Sequence, residues 1–249
     1  MKNITIGSSP GPSMNAELYE PVGAAPTGIV IISYGVDGLT DTPERPWGRM
    51  MRGYAEDLAK AGIAAIIPEY FQVTDTKPGE PLVQIMMSDI PKIMSLRTSW
   101  EHALSLAIND GKFRFGLDHA NTGLLGFSLG GHLCLRIRAN VNVLVEYFAP
   151  DFGDIGGPGN LAHAQIHHGT ADNFPRTEFA NAGRIEAILK DEKTVSGQKT
   201  QTRVFPYLGA GHGFIGNDAA NKTAREESKK RTLEFFDTHL GPKKPGSGT

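Results

Sequence analysis

One serine of the chain lies in a sequence context that is typical of a catalytic nucleophile. Ser128 is flanked by Gly126 and Gly130 in the segment GFSLGG, which has the pattern Gly-x-Ser-x-Gly. The pattern alone is a weak signal, but here it joins an apolar run, residues 121–127, to a helical pattern. A tight strand-to-helix turn of this kind projects the serine hydroxyl above the edge of a sheet. We therefore predict that Ser128 is a nucleophile, in preference to the alternative of a plain glycine-rich turn.

A histidine and an aspartate follow later in the chain, each just beyond a predicted strand. His212 lies among small residues in the segment LGAGHGF, after the run 201–207, and Asp172 is the first acidic residue after the run 162–169. A serine hydroxyl needs a general base, and a histidine base needs a carboxylate to orient its ring. The three residues therefore predict a triad in the chain order Ser, Asp, His, which is the order in α/β-hydrolases and differs from the trypsin-like and subtilisin-like orders.

The elements that must position these residues alternate along the chain. Such alternation predicts βαβ crossovers and a mostly parallel sheet of about eight strands with helices on both faces. No helical pattern separates the first two strands, so we expect them to form an antiparallel hairpin at the sheet edge. The predicted strands are 2–6, 16–21, 28–34, 62–68, 121–127, 141–149, 162–169 and 201–207. The predicted helices are 44–60, 91–108, 129–139, 176–190 and 218–239, the last with Asp218 as its N-cap.

Composition excludes several other classes of protein. The 249 residues carry a net charge of −2, so no basic excess favours binding to nucleic acid or to an anionic membrane. Cys134 is the single cysteine, which rules out an intramolecular disulfide and a cysteine-rich metal module. No apolar run is long enough for a membrane span, and the first residues lack the apolar segment of a signal peptide. We expect a cytoplasmic protein with one domain, residues 1–240, and a disordered or cloning-derived tail, residues 241–249.

Longer segments of the chain resemble the dienelactone hydrolase family within the α/β-hydrolase fold. The matching segments are GIVIISYGVDG, GIAAIIPEY, GFSLGGH, HHGTADNFP and AGHGF, in the family's order, and they span about residues 28 to 240. The resemblance implies an α/β-hydrolase fold with Ser128 as nucleophile, Asp172 as acid and His212 as base. It also implies an oxyanion hole made by the backbone N–H groups of Leu129 and Val36. A triad of this kind needs no cofactor, and we expect no metal.

Three positions depart from the pattern of the family's name-giving members. Those members have a cysteine where this chain has Ser128, a glutamate where it has Gly35, and a carboxylate-binding arginine where it has Gly216. The departures imply a serine esterase branch of the family. Because glycine cannot replace a guanidinium that pairs with a carboxylate, we expect neutral esters as substrates, and the absence of a lid insertion favours small ones.

Residues near the ends of other strands are candidates for the substrate pocket, namely Tyr34, Asp37, Trp47, Met87 and Phe214. The connection from Pro150 to Leu161 is short and rich in glycine, so it cannot build a lid helix, and we expect no large cap domain. The loop 69–82 and the stretch after it are the expected gate. His163, His167 and His168 could suggest a metal ion, but no acidic cluster accompanies them.

The sequence predicts a carboxylic-ester hydrolase that binds a small-molecule ester and is a monomer or a homodimer. An amidase, a peptidase or a dienelactone-type lactone hydrolase would use the same triad and stays open as an alternative. A non-catalytic binding module that kept the fold is a further alternative, although an intact and correctly ordered triad argues against it.

Overall fold

The computed structural model describes residues 1–7 and 11–242, which build one eight-stranded sheet. The order of strands across the sheet is β1-β2-β4-β3-β5-β6-β7-β8. The predicted tail lies outside the described residues from position 243 onwards. The strands are β1 (Lys2–Gly7), β2 (Ser13–Tyr19), β3 (Gly28–Ser33), β4 (Ile63–Pro68), β5 (Thr122–Phe127), β6 (Val143–Tyr147), β7 (His163–Gly169) and β8 (Gln201–Tyr207).

The pairing of the strands confirms the predicted parallel sheet with an antiparallel edge. β1 pairs antiparallel with β2, and β2 pairs antiparallel with β4, whereas all the pairs from β4 across to β8 are parallel. Every residue of β3, β4, β5 and β6 is buried. Their continuous apolar runs are what parallel strands require when helices cover both faces of a sheet.

Helices form the two outer layers of the molecule. α1 and α6 pack against one face of the sheet, and α3, α4 and α5 cover the other face. The side chain of Asp218 accepts a hydrogen bond from the N–H of Asn221, which confirms the predicted N-cap of α6. The helices are α1 (Trp47–Lys60), α2 (Glu80–Ser88), α3 (Ile90–Phe115), α4 (Leu129–Ile137), α5 (Ala180–Asp191) and α6 (Ala219–Leu240).

The connection from β4 to α3 differs from the sequence prediction. The predicted loop 69–82 contains a 3₁₀ turn, Tyr70–Thr74, and the first residues of α2. Helix α2 buries only Leu82 and Met86, one turn apart, so its periodic signal is too short to recognise in the sequence. The connection from β6 to β7, residues 148–162, has no helix, as expected, so this connection builds no cap over the carboxyl ends of the strands. Within residues 1–7 and 11–242, no helix is long and apolar enough to cross a membrane.

Candidate active site

Ser128 lies in a strained turn between β5 and α4. Its backbone has φ 51° and ψ −121°, a region that non-glycine residues rarely adopt. The turn is tight because its neighbours have no side chains: a Cβ at Gly126 would lie 2.5 Å from the carbonyl oxygen of Gly130, and a Cβ at Gly130 would lie 2.3 Å from that of Ser33. The pattern around Ser128 thus forms the sharp strand-to-helix turn that the sequence predicts.

The structure brings the three predicted triad residues together in one chain of hydrogen bonds. Nδ1 of His212 lies 2.9 Å from Oδ2 of Asp172, and Nε2 of His212 lies 3.2 Å from Oγ of Ser128. A carboxylate only accepts, so Nδ1–H donates to Asp172 and leaves Nε2 free to accept the hydroxyl proton of Ser128. Each residue comes from the carboxyl end of a different strand, β5, β7 or β8.

The carboxylate of Asp172 is buried and accepts several hydrogen bonds. Its Oδ1 accepts from the hydroxyl of Thr177 at 2.8 Å and from the N–H of Phe174 at 3.1 Å. Burial would raise the pKa of Asp172, but its interactions with His168, His212 and Thr177 outweigh burial and hold the pKa well below the usual range. Asp172 is therefore ionised at neutral pH, as an aspartate that orients a histidine base must be.

Two aromatic rings hold the imidazole of His212 in place. Phe174 stacks on it with ring centroids 4.7 Å apart, and Phe148 meets it edge-on at 4.8 Å. Phe148 itself has a positive φ of 42°, which turns the chain directly after β6. No sequence pattern predicted a role for these two residues or for Thr177. Only the segment around Asp172 hinted at them, because Phe174 and Thr177 follow it closely in the chain.

A cavity of about 300 Å³ opens over Ser128 and His212. Its apolar walls come from the helices, strand ends and loops around the nucleophile, namely Val36, Trp47, Met51, Val83, Phe127, Phe148, Phe174 and Ile215. The charged residues of the lining are Asp37, Glu44, Glu80 and Arg45. Arg45 donates to Oδ1 of Asp37 at 2.8 Å, so the guanidinium is already paired. Negative charge is therefore in excess around the cavity.

The cavity includes some of the predicted pocket and oxyanion residues. Val36 lines it, and so do Asp37 and Trp47, which are joined by a hydrogen bond of 2.9 Å from the indole N–H to Oδ2. Leu129 is the first residue of α4, so its backbone N–H is one of those that a helix leaves without an internal partner. A Cβ at Gly35 would lie 3.2 Å from Cβ of Ser128 and 3.8 Å from its Oγ, so this glycine keeps the nucleophile uncovered.

Three predicted pocket residues lie outside the lining of this cavity. Tyr34 is buried beneath it, stacked on Tyr70 with ring centroids 4.3 Å apart. Met87 lies one helical turn beyond Val83 on α2 and is 53% exposed. Phe214 is buried behind Phe148, with ring centroids 5.4 Å apart. Their side chains are not part of this lining because proximity to a strand end along the chain does not determine where a side chain points.

The remaining candidates separate in space. His163 stacks on His239 of α6, and His167 packs on Tyr147, whereas His168 lies on the opposite face of β7, beside Asp172. Across the part of the chain that the structure describes, no group of three His, Cys, Asp or Glu residues is arranged to hold a metal ion. Cys134 is buried in α4, and burial raises the pKa of its thiol. A buried and protonated thiol is not a competing nucleophile.

Residues 14–240 match the family model described as the dienelactone hydrolase family. No curated protein sequence matches the chain. The match covers all three triad residues and the elements that carry them.

Solved structures with the same fold include several hydrolases. A dienelactone hydrolase-like promiscuous phosphotriesterase from metagenomic libraries is 18% identical, with a TM-score of 0.71, covering 96% of this chain and 98% of that chain. A propionate-bound esterase of Thermogutta terrifontis is 16% identical, with a TM-score of 0.68, covering 98% and 96%. A serine hydrolase without a lid from Xanthomonas campestris is 15% identical, with a TM-score of 0.63, covering 98% and 96%. At these identities the likeness shows the α/β-hydrolase fold.

Proposed function

The chain belongs to the dienelactone hydrolase family, and from this premise we propose that it is a serine hydrolase that cleaves carboxylic esters of small, neutral substrates. One observation carries the proposal: the unbroken hydrogen-bonded chain from Oγ of Ser128 through His212 to Asp172, at the floor of an open cavity. Such a chain is what a serine hydroxyl needs in order to act as a nucleophile.

The proposed reaction proceeds through an acyl-enzyme. Oγ of Ser128 attacks the ester carbonyl while Nε2 of His212 takes the hydroxyl proton, and Asp172 stabilises the imidazolium that forms. His212 then gives this proton to the leaving alcohol. Water attacks the acyl-enzyme with His212 again as base, which releases the acid and restores Ser128. No cofactor takes part in these steps.

We propose that the tetrahedral intermediate is stabilised by the N–H groups of Leu129 and Val36. The position of Leu129 at the start of α4 and of Val36 in the cavity lining supports this assignment. Oxyanion-hole donors of this kind each contribute on the order of 3 kcal/mol to transition-state stabilisation. The first turn of α4 adds a favourable dipole at the same place.

The shape and charge of the cavity support small, neutral substrates. About 300 Å³ suits a short acyl chain and a modest leaving group. Three carboxylates and one guanidinium line the cavity, and that guanidinium is paired with Asp37, so an anionic ester would meet uncompensated negative charge. Arg49 and Arg97 lie outside the lining of the cavity, and they pair with Asp41 and Glu101.

The test combines labelling with a substrate series. We expect a fluorophosphonate probe to label the wild-type protein at Ser128, and we expect kcat/KM to fall as the acyl chain of p-nitrophenyl esters lengthens. A neutral ester should also be cleaved more efficiently than its free-acid analogue. Higher efficiency on long or anionic esters would contradict the proposed substrate class.

The same experiment separates the alternatives. Amidase, peptidase and lactone hydrolase activities use the same groups, so matched amide and lactone substrates belong in the series. A binding module that kept the fold would show neither labelling nor turnover. A cytoplasmic location and a monomeric or homodimeric state stay predictions.

A further inference from the structure

A second imidazole lies against the carboxylate of Asp172. Nε2 of His168 is 3.4 Å from Oδ2, the same oxygen that accepts the hydrogen bond from His212 at 2.9 Å. Both His168 and Asp172 have fully buried side chains. Only His212 takes part in the proposed reaction, so the position of His168 beside Asp172 has no role in it so far.

The hydrogen bonds of His168 define part of its protonation state. Nε2 lies 2.6 Å from the backbone carbonyl oxygen of Thr177, which can only accept, so Nε2 carries a hydrogen. Nδ1 is buried and has no hydrogen-bond partner among the described residues. Burying a ring nitrogen without a hydrogen-bond partner costs free energy of folding, so the charged groups near Nδ1 influence whether it carries a hydrogen.

Glu146 of β6 has a buried carboxyl group, whose charge is complementary to a protonated His168. It is fully buried, its Oε2 accepts from the N–H of Ala149 at 3.0 Å, and its Oε1 has no hydrogen-bond partner in the described part of the chain. Glu146 is opposite Ile166 in the parallel register, and His168 lies two residues further along β7. Because side chains alternate along a strand, Glu146 and His168 are diagonal neighbours on one face of the sheet.

We propose that His168 is a positioning residue, held as an imidazolium between Glu146 and Asp172, which keeps Asp172 ionised and directed at His212. The proposal rests on the proposed function, because it extends the chain of groups behind Ser128. The Nε2–H of His168 faces Thr177 and Asp172. Glu146 acts on the ring through its charge, since its Oε1 and Nδ1 of His168 are not hydrogen-bonded to each other. Each buried carboxylate thereby gains a positive neighbour.

Electrostatics supports this arrangement. Burial by itself lowers the pKa of His168, but the hydrogen bond to Asp172, the charge of Glu146 and the carbonyl of Thr177 outweigh burial and raise it. Burial raises the pKa of Glu146 to about 7, and His168 opposes that rise. The other groups that face the pair are the thiol of Cys134 on α4, which burial keeps protonated, and the ring of Phe179 just before α5.

Nitrogen NMR of the wild-type protein tests the protonation state without any need for activity. We expect both ring nitrogens of His168 to carry a hydrogen at neutral pH, with the signals identified by their loss in His168→Gln. In Glu146→Gln the carboxylate is replaced by an amide of the same shape, and Nδ1 of His168 should lose its hydrogen. A neutral His168 in the wild-type protein, with hydrogen on Nε2 alone, would overturn the proposal.

Rate profiles test the positioning role. We expect His168→Gln to lower kcat/KM by about ten- to a hundredfold, the value of one charge-assisted hydrogen bond. The acidic limb of its pH–rate profile should move to higher pH by about half a unit or more, because an uncompensated Asp172 makes His212 hold its proton more tightly. Glu146→Gln should move the limb in the same direction by less.

The matched control is His167→Gln. His167 is the preceding residue of β7 and is equally buried, but it points to the α6 face and hydrogen-bonds Tyr207. We expect it to leave the acidic limb unchanged. If all three variants keep the wild-type limb, His168 is a structural residue and the positioning role fails. If the wild-type protein cleaves no ester, the proposed function fails, and the NMR experiment still decides the state of His168.

Discussion

Two fully buried histidines stand next to each other on β7, and their surroundings are opposite. His167 faces α6, where Tyr147 and Tyr207 surround it, and burial lowers its pKa to about 3. His168 faces Asp172 and Glu146, and its pKa is raised. The two side chains share residue type, strand and burial. Because side chains alternate along β7, neighbouring residues face opposite sides of the sheet. On the side that faces α6, called the α6 side, His167 makes packing contacts with aromatic rings. On the opposite side, called the Asp172 side, His168 interacts with buried charged groups.

If this division holds, changes on the Asp172 side alter the rate and changes on the α6 side alter stability. Five predictions test it, beginning with the largest expected effect.

Replacing the nucleophile should have the largest effect on rate. We expect Ser128→Ala to lower kcat by about 10⁴- to 10⁶-fold, because alanine has no hydroxyl that His212 could activate as a nucleophile. The unfolding midpoint in urea should stay close to that of the wild-type protein, because alanine has the same Cβ in the strained turn and loses only the hydroxyl. Near wild-type turnover in this variant would end the serine mechanism.

Replacing the acid should have the next largest effect. Asp172→Asn keeps the shape of the side chain but offers His212 an amide, which favours the wrong tautomer of the imidazole. We expect kcat to fall by about 10⁴-fold at neutral pH. Asp151→Asn, a change to another aspartate that is partly buried but lies outside the hydrogen-bonded chain, is the control and should retain activity. Equal losses in both variants would mean that the effect is structural.

On the α6 side, the expected loss is in stability. Phe236 is fully buried and sits so close to the sheet that a Cβ on Gly123 would lie 2.9 Å from its ring. We expect Phe236→Ala to lower the free energy of unfolding by about 3–5 kcal/mol, since it leaves a cavity at this contact. Lys222→Ala, at an exposed position of α6, should change it by less than about 0.5 kcal/mol.

Turnover provides the second readout for Phe236→Ala. Below its unfolding transition, the variant should keep a kcat within a few-fold of the wild-type value, because its side chain touches none of the triad residues. A loss of several powers of ten in the folded variant would show that the two sides are not separable.

The smallest expected effect is on the pH dependence of stability. The folded-state pKa of His167, about 3, lies below its ordinary value of 6.5, so the unfolded chain binds the proton first. The free energy of unfolding therefore falls as pH drops from about 6.5 towards 3, and His167→Gln should flatten this decline. Urea titrations at a series of pH values measure it.

The contribution of His168 to the free energy of unfolding should change with pH in the opposite direction. Its raised folded-state pKa means that its contribution is present below pH 6.5 and is lost as pH rises through the folded value. His168→Gln should therefore destabilise the protein more at acidic than at alkaline pH. If both variants changed the pH dependence of the free energy of unfolding in the same direction, this result would contradict the comparison between the two sides of β7.

Much of the fold and the centre of the site followed from the sequence alone. The apolar runs that end at Phe127, Gly169 and Tyr207 identified three buried strands, and the residues that follow them carry the proposed chemistry. These signals are local: periodicity sets the type of an element, and glycines mark a turn that only they permit. Parallel strands end at the same edge of a sheet. The position of Ser128, Asp172 and His212 just after three such strands was therefore sufficient to predict that they meet.

Only the tertiary structure decided which other residues join them. Thr177, Phe148 and Phe174 reach the site through loops whose paths no local pattern specifies, and Tyr34 and Phe214 turn away from the cavity for the same reason. Glu146 and His168 are far apart in the chain and become neighbours through the register of β6 against β7. Side-chain direction and strand register depend on contacts between distant segments, and a single sequence does not encode those contacts in any short window.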